Sequence, residues 1–218
     1  NYYKNELKEN AQLLASKGKG ILAVDESTKT VGKRLAGIGV ENTEENRKAY
    51  RGMLFTTEGL GKYISGAILF EETLYQNHQD GESMVKKLND LGIIPGIKVD
   101  KGLNPLPGGG DVETFCSGLD GLVERAAKYY EQGARFAKWR AVLQITNDGC
   151  PSKLSIQENA WGLARYARSV QESGLVPIIE PEILMDGDHT IEKTAEVQEE
   201  VIKQVYIACQ ANGVFLEG

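Results

Sequence analysis

The sequence predicts an α/β fold, a (β/α)8 TIM barrel in which parallel strands alternate with helices. Apolar, β-branched runs alternate with amphipathic stretches along the chain, an order typical of parallel strands joined by helical crossovers. The runs are almost continuously apolar, as expected of strands buried on both faces. Charged residues follow many of the runs, and no run is followed by a glycine-rich phosphate loop, so a barrel is favoured over an open doubly wound sheet.

Six segments are predicted as strands, and most begin at or just after a glycine, a natural end for the preceding helix. They are residues 20–26, 64–72, 92–100, 135–142, 174–184 and 213–217. Apolar residues recur with helical spacing from near residue 43 to 55, over 119–130, over 155–170 and around 197–208. We expect Asn42 and Glu45 to cap the first of these helices, and Ser155 with Glu158 to form a capping box on the third. The proline-containing stretch 102–111 is predicted to be irregular surface chain.

The number of predicted strands falls short of a complete barrel, which has eight strands and typically about 250 residues. The sixth strand would end at the C-terminus and leave an unpaired apolar edge, which folded proteins avoid. We therefore expect residues 1–218 to form a single barrel-type domain whose C-terminal part is absent. This chain would cover roughly the first five strands and the start of the sixth.

Composition and charge limit the classes of function. The chain is 41% apolar and 26% charged, as in ordinary globular proteins, and its net charge of -6 argues against nucleic acid as the main partner. No apolar stretch approaches the roughly 18 to 20 residues that cross a bilayer. Scattered cysteines at 116, 150 and 209 favour a reducing compartment. Two histidines without ligand spacing argue against a His-rich metal site.

Three of the apolar runs end in two charged residues spaced i, i+2, and side chains at this spacing lie on one face of a strand. These pairs are Lys98 with Asp100, Lys138 with Arg140, and Glu180 with Glu182. Lys101 and Trp139 are out of phase with them, and are expected in solvent and in the core, respectively. Because β/α barrels have their active sites at the carboxyl ends of the strands, the pairs predict acid–base chemistry on an anionic, phosphorylated small molecule.

Longer motifs also run in register over essentially the whole chain. They are GILAVDEST (20–28), GAILFEETLYQ (66–76), GIKVDKG (96–102), GARFAKWR (133–140), LARYA (163–167) and VPIIEPEILMDGDH (176–189). Together they resemble class I fructose-1,6-bisphosphate aldolase. This resemblance implies a homotetrameric β/α barrel enzyme that cleaves fructose 1,6-bisphosphate to dihydroxyacetone phosphate and glyceraldehyde 3-phosphate. The reaction would proceed through a lysine Schiff base, without metal or other cofactor.

The resemblance implies catalytic roles for four residues. Asp25 would help to move protons and to orient the Schiff-base region, although a strand-end aspartate also commonly caps the next helix. Lys138 would lower the pKa of the neighbouring Schiff-base lysine and stabilise developing oxyanions. Glu180 would be the general acid and base, and Glu182 would orient lysines. The structural alternative pairs both glutamates with Lys138 and Arg140.

Five further residues are implied in substrate binding. The hydroxyls of Ser27 and Thr30 would lie near a substrate phosphate, and ordinary N-capping is their alternative. Arg47 would lie near a phosphate, whereas composition alone predicts a solvated helix charge. Lys98 would contact substrate, with a structural ion pair as its alternative. Arg140 would point inward together with the catalytic lysine of its strand.

The nucleophile of the family lies just beyond the segment that corresponds to GVFLEG (213–218), so no lysine of this sequence is assigned that role. We expect the chain to be part of a longer active enzyme. The alternative is an inactive fragment that retains only sugar-phosphate or scaffold binding. Without the resemblance, a metal-assisted barrel lyase with Asp25, Glu72 and Glu180 as ligands is a further alternative.

Two segments point to a cellular location. GLGKYISGAILFEETLYQ (59–76) and AWGLARYA (160–167) resemble plastid and cyanobacterial forms of the family more than animal forms. This favours the plastid stroma, with the cytosol as the alternative.

Overall fold

The computed structural model describes residues 3–218, and helices separate its five long strands as predicted. The helices are α1 (Lys4–Leu14), α2 (Thr28–Ala36), α3 (Glu44–Phe55), α4 (Glu71–Leu74), α5 (Met84–Asp90), α6 (Leu122–Glu131), α7 (Lys153–Glu172) and α8 (Ile191–Ala211). The strands are β1 (Gly20–Val24), β2 (Ile64–Leu69), β3 (Ile94–Lys98), β4 (Leu103–Pro105), β5 (Thr114–Cys116), β6 (Phe136–Leu143) and β7 (Val176–Ile183). A 3-10 turn, Leu60–Lys62, precedes β2.

Five strands form one parallel sheet in the order β1-β2-β3-β6-β7. Each strand therefore pairs with the next long strand along the chain, through a helical connection, as in the first half of a β/α barrel. Because all five run in the same direction, their carboxyl ends meet at one edge of the sheet. Five of the six predicted strands are confirmed, and this edge is where their terminal charges lie.

The predicted start of a sixth strand is not formed, because residues 213–217 adopt turns. The side chain of Gln171 takes the place of a strand partner in this segment. Its Oε1 accepts from the Phe215 amide at 3.0 Å, and its Nε2 donates to the Phe215 carbonyl at 2.8 Å and to the Gly218 carbonyl. The backbone of the segment is thus bonded to a helix side chain instead of to β7.

The predicted surface loop 102–111 is irregular only in part. Its first residues form β4, which pairs with β5 in a two-stranded antiparallel hairpin. Pro105 lies opposite Thr114 at the end of this short ladder, where a missing amide donor is tolerated.

Both predicted helix caps are displaced. Ser152, and not Ser155, caps α7, since its Oγ accepts from the Ser155 amide at 3.1 Å. Thr43, and not Asn42, caps α3 by accepting from the Asn46 amide at 3.2 Å. Each of these helices begins with several residues that are able to cap, and packing decides which of them is placed to do so.

The core lies mainly between the sheet and the surrounding helices. Trp139 of β6 is buried there and stacks on Tyr166 of α7, with ring centroids 5.3 Å apart. This confirms the prediction that Trp139 points into the core, on the helix-covered face of the sheet. Its neighbours Lys138 and Arg140 point to the opposite, inner face. None of the helices within residues 3–218 combines the length and apolarity needed to cross a membrane.

Candidate active site

Lys138 is the centre of the candidate active site. Its side chain projects from β6, and its Nζ lies 3.1 Å from Asp25 Oδ2 and 3.0 Å from Glu180 Oε2. Asp25 directly follows β1, and Glu180 lies in β7, so three strands supply one ion-paired group. The side chains of Lys138 and Asp25 are only 12% and 11% exposed, whereas Glu180 is 34% exposed. The cation is therefore held between a buried acid and an acid that solvent can reach.

The charge state of Lys138 follows from its surroundings. Burial favours the neutral amine, but the charges and hydrogen bonds of Asp25 and Glu180 outweigh that effect and raise the pKa of Lys138 above its ordinary value. Lys138 is therefore protonated at neutral pH. A protonated amine stabilises negative charge and is not a nucleophile.

Two further pairs lie beside this group. Arg140, two residues along β6, donates from Nε to Glu182 Oε2, and this hydrogen bond together with the glutamate charge raises the pKa of Arg140. Lys98 donates to the carboxylate of Asp100 on the same segment and lies opposite Lys138 in the β3–β6 register. Lys138 and Arg140 therefore pair with the acids on β7, whereas Lys98 pairs with the acid that follows its own strand.

Arg47 is not the solvated helix charge that composition alone suggested. It is buried, and its guanidinium makes a bidentate pair with Glu72, with Nε 2.9 Å from Oε1 and Nη2 2.7 Å from Oε2. The hydrogen bond to Arg47 holds the pKa of Glu72 below its ordinary value. This pair does not contact Lys138, and it forms a separate charged group near the carboxyl end of β2.

The alternative that used Asp25, Glu72 and Glu180 as metal ligands has no support in this geometry. Two of the three carboxylates contact Lys138, and the third is occupied by Arg47. Within residues 3–218, no group of three or more His, Cys, Asp or Glu side chains is arranged to hold a metal ion.

Ser27 and Thr30 lie just after β1 at the beginning of α2. Ser27 caps this helix by accepting from the Thr30 amide at 3.3 Å, and the two hydroxyl oxygens are 3.1 Å apart. The N-capping role considered as the alternative for Ser27 is therefore present. The two residues follow Asp25 by two and five positions in the chain.

Sequence reasoning missed Arg51, whose side chain is completely buried. It lies one turn after Arg47 on α3 and donates to backbone carbonyls at the end of β1. The i, i+4 spacing of two arginines on one helix face was the available signal. Nothing local in the sequence distinguishes such a pair from two solvated charges, because burial depends on which strand the helix packs against.

Comparison with known proteins relates the chain to one family. The model for fructose-bisphosphate aldolase class-I matches residues 6–218. The chain is 59% identical to fructose-bisphosphate aldolase 3, chloroplastic, of Arabidopsis thaliana and 58% identical to the chloroplastic fructose-bisphosphate aldolase of Spinacia oleracea. Each match covers 99% of this chain and 54% of the relative, so the chain spans about half the length of these curated relatives.

A solved structure is also similar to this chain. It is the fructose-bisphosphate aldolase of Plasmodium falciparum in a ternary complex with TRAP and a small molecule inhibitor. The TM-score is 0.96 at 57% identity, and the match covers 98% of this chain and 61% of that chain. The five-stranded sheet is thus part of a TIM-barrel fold, as the sequence predicted.

Proposed function

Because this chain belongs to the class I fructose-bisphosphate aldolase family, we propose that it forms part of an enzyme that reversibly cleaves fructose 1,6-bisphosphate. The products are dihydroxyacetone phosphate and glyceraldehyde 3-phosphate, and the intermediate is a lysine Schiff base. The observation that carries this proposal is the position of Lys138 between Asp25 and Glu180, at 3.1 and 3.0 Å. A fixed cation with two carboxylates supplies the electrostatic and proton-transfer groups that the reaction requires.

Lys138 acts as a fixed positive charge in this mechanism. It lowers the pKa of the nearby nucleophilic lysine, so that more of that amine is neutral and able to attack the C2 carbonyl of the substrate. It also stabilises the negative charge that develops on the carbonyl oxygen during the attack.

Glu180 is the general acid and base. Of the two acids on Lys138 it is the more exposed, so substrate reaches it more readily than it reaches Asp25. It first accepts a proton from the nucleophilic ammonium group, and as an acid it then gives this proton to the carbinolamine hydroxyl, which leaves as water and gives the iminium. As a base it accepts the C4 hydroxyl proton while the C3–C4 bond breaks and its electron pair forms the enamine. Asp25 assists these transfers, and Glu182 holds Arg140 in place.

Phosphate binding is proposed for the cationic and hydroxyl groups around this centre. These are Ser27, Thr30, Arg47, Lys98 and Arg140. Their positions after β1, on α3, and on β3 and β6 surround the carboxyl ends of the strands, where a bisphosphate would span the mouth of the barrel. Arg47 and Arg140 are paired with Glu72 and Glu182, so a phosphate would share or displace these carboxylates.

The nucleophilic lysine is proposed to lie in the part of the relatives that this chain does not match. The 218 residues would then be one portion of a single barrel domain in a homotetramer. The chloroplastic relatives support a plastid location, and the stroma is the proposed compartment.

Borohydride trapping tests the proposed function. The full-length protein is incubated with fructose 1,6-bisphosphate and sodium borohydride, and the modified peptide is identified by mass spectrometry. We expect inactivation that depends on substrate, with the adduct on a lysine outside residues 1–218. An adduct on Lys138 would contradict the electrostatic role, and loss of activity with EDTA but no adduct would contradict the Schiff-base mechanism.

A further inference from the structure

Arg51 is the middle member of a line of neighbouring residues with alternating charge, and its two acidic neighbours follow β1 and β2. Its guanidinium is 3.8 Å from Glu26 Oε2 on one side and 4.0 Å from Glu72 Oε1 on the other. The outer partners of these two glutamates are Arg34 and Arg47. Arg51 is the fully buried member of the line.

Its closest contacts are with backbone and not with carboxylates. Nε donates to the Val24 carbonyl at 3.1 Å, and Nη2 donates to the Glu26 carbonyl at 2.5 Å. Val24 and Glu26 are the two residues that flank Asp25. One planar guanidinium thus holds the Val24–Asp25 and Glu26–Ser27 peptide groups, which bracket the buried acid that contacts Lys138.

The register of β1 explains why the segment around Asp25 needs a donor. The pairing of β1 with β2 ends at the Val24–Leu69 pair, whereas Asp25 and the Glu26 carbonyl follow it. Beyond that pair the strand ladder supplies no further donors to the chain that carries Asp25. The face of the Phe70 ring, with its centroid 5.7 Å from the Arg51 guanidinium carbon, restricts the arginine further.

We propose that Arg51 is a positioning residue for catalysis, which holds the peptide groups around Asp25 so that its carboxylate stays within hydrogen-bond distance of Lys138. This inference rests on the proposed function. Lysine cannot replace arginine here, because an ammonium group lacks the planar fork that reaches two carbonyls in fixed directions. Methionine fills a similar volume but supplies no donor.

A double-mutant cycle in the full-length enzyme tests the proposal. We expect Arg51→Met and Arg51→Lys to lower kcat by on the order of tenfold or more, while KM changes by less than about twofold, because a misplaced group impairs the chemical step more than binding. In an enzyme that already carries Asp25→Asn, adding Arg51→Met should lower kcat by less than about twofold. The reason is that the carboxylate that Arg51 positions is already absent. Multiplicative losses, or an effect on KM alone, would overturn the proposal.

Arg135 provides the matched control. It also donates to two backbone carbonyls, at 2.9 Å to Tyr130 and 2.8 Å to Ala134. Arg135 directly precedes β6, however, and therefore lies at the amino ends of the strands, away from the site. Arg135→Met should leave kcat within about twofold and should act independently of Asp25→Asn. Coupling as strong as that of Arg51 would mean that general loosening of the fold explains the effect.

A structural measurement separates this inference from the proposed function. In a crystal structure of the full-length Arg51→Lys variant, we expect the separation between Asp25 Oδ2 and Lys138 Nζ to exceed hydrogen-bond distance. A separation unchanged from 3.1 Å would overturn the inference even if the wild-type enzyme is an active aldolase. Failure of the proposed function would instead be seen as absent cleavage and absent trapping in the wild-type protein, with the displacement of Asp25 unaffected.

Discussion

Lys138 and Asp25 are 113 positions apart in the sequence, yet Lys138 Nζ lies 3.1 Å from Asp25 Oδ2. Their strands, β6 and β1, are separated in the sheet by β2 and β3. In a flat sheet three strand spacings place two chains about 14 Å apart, beyond the reach of this pair. The contact therefore depends on curvature of the sheet toward its inner face. The closeness of these two side chains is a direct consequence of the barrel-type fold.

Replacement of Lys138 should remove activity without preventing folding. Lys138→Met leaves Asp25 and Glu180 without their shared cation, so we expect kcat of the full-length enzyme to fall by on the order of a hundredfold or more. Steady-state cleavage of fructose 1,6-bisphosphate measures this. The exposed Lys101, at the end of the neighbouring strand, is the control, and Lys101→Met should retain near wild-type activity. Comparable losses in both variants would contradict a specific role for Lys138.

The two glutamates of β7 should differ in their effects. Glu180→Gln keeps the shape of the side chain but removes the proposed acid and base, so we expect kcat to fall by roughly a hundredfold to ten-thousandfold. Glu182→Gln only weakens the pair with Arg140, and should lower kcat by less than about tenfold. The pH dependence of kcat distinguishes them, because loss of a general acid or base removes one limb of the profile. An unchanged profile for Glu180→Gln would assign the proton transfers to another group.

The pair between Glu72 and Arg47 should stabilise the fold in a pH-dependent way. Since the pKa of Glu72 is lowered in the folded state, its contribution is present above its ordinary value of 4.5 and is lost as the pH falls through the folded pKa. Glu72→Gln should lower the free energy of unfolding by about 2 kcal/mol at pH 7. The difference from wild type should shrink below pH 4.5, as measured by urea unfolding. Glu45→Gln, at an exposed pair with Lys48, should have little effect at either pH.

Ser27 combines a capping role with a proposed phosphate contact, and two substitutions separate them. Ser27→Ala removes the cap of α2 and should cost about 1 kcal/mol in unfolding free energy, whereas Ser27→Asn preserves capping. Both should raise KM for fructose 1,6-bisphosphate if the hydroxyl binds phosphate. Ser83→Ala removes the equivalent cap of α5 and should lower stability without changing KM. A normal KM for Ser27→Asn would leave Ser27 with capping alone.

Trp139 should affect stability and not chemistry, because it faces away from the site. Trp139→Ala opens a cavity beside Tyr166 and should lower the free energy of unfolding by about 3 to 5 kcal/mol. Trp161 is 53% exposed on α7, and Trp161→Ala should change the free energy of unfolding by less than about 0.5 kcal/mol. Denaturant unfolding of the two variants measures the contrast. Similar costs at both positions would mean that Trp161 is covered in the assembled protein.

Much of the local structure was predictable from the sequence. Apolar runs marked the strands of the parallel sheet, and the alternation of side chains along β6 correctly separated Lys138 and Arg140 from Trp139. These features depend on residues that are close in the chain, so a periodic pattern records them. The caps of α3 and α7 were displaced, since neighbouring residues have similar capping propensities and packing selects one of them.

The partners of the charged residues were less predictable. Lys98 pairs with Asp100 of its own segment, and Arg47 is buried against Glu72 although its sequence context suggested solvent. The segment 213–217 has the apolar character of a strand, yet it is bonded to Gln171 instead of a strand neighbour. In each case the residues that could make the contact lie far apart in the sequence, or their local sequence patterns are too similar to show which of them makes it.

The sequence by itself determined the order of strands and helices, the face on which each strand-end charge lies, and the family. The tertiary structure alone decided which charges meet: that Lys138 is shared by Asp25 and Glu180, and that Arg51 is buried against the carbonyls beside Asp25. The physical reason is that side-chain direction follows from the periodicity of a single strand. Which side chains meet across strands depends on the register of the strands and on the curvature of the whole sheet. Both are determined by the packing of the sheet and helices as a whole.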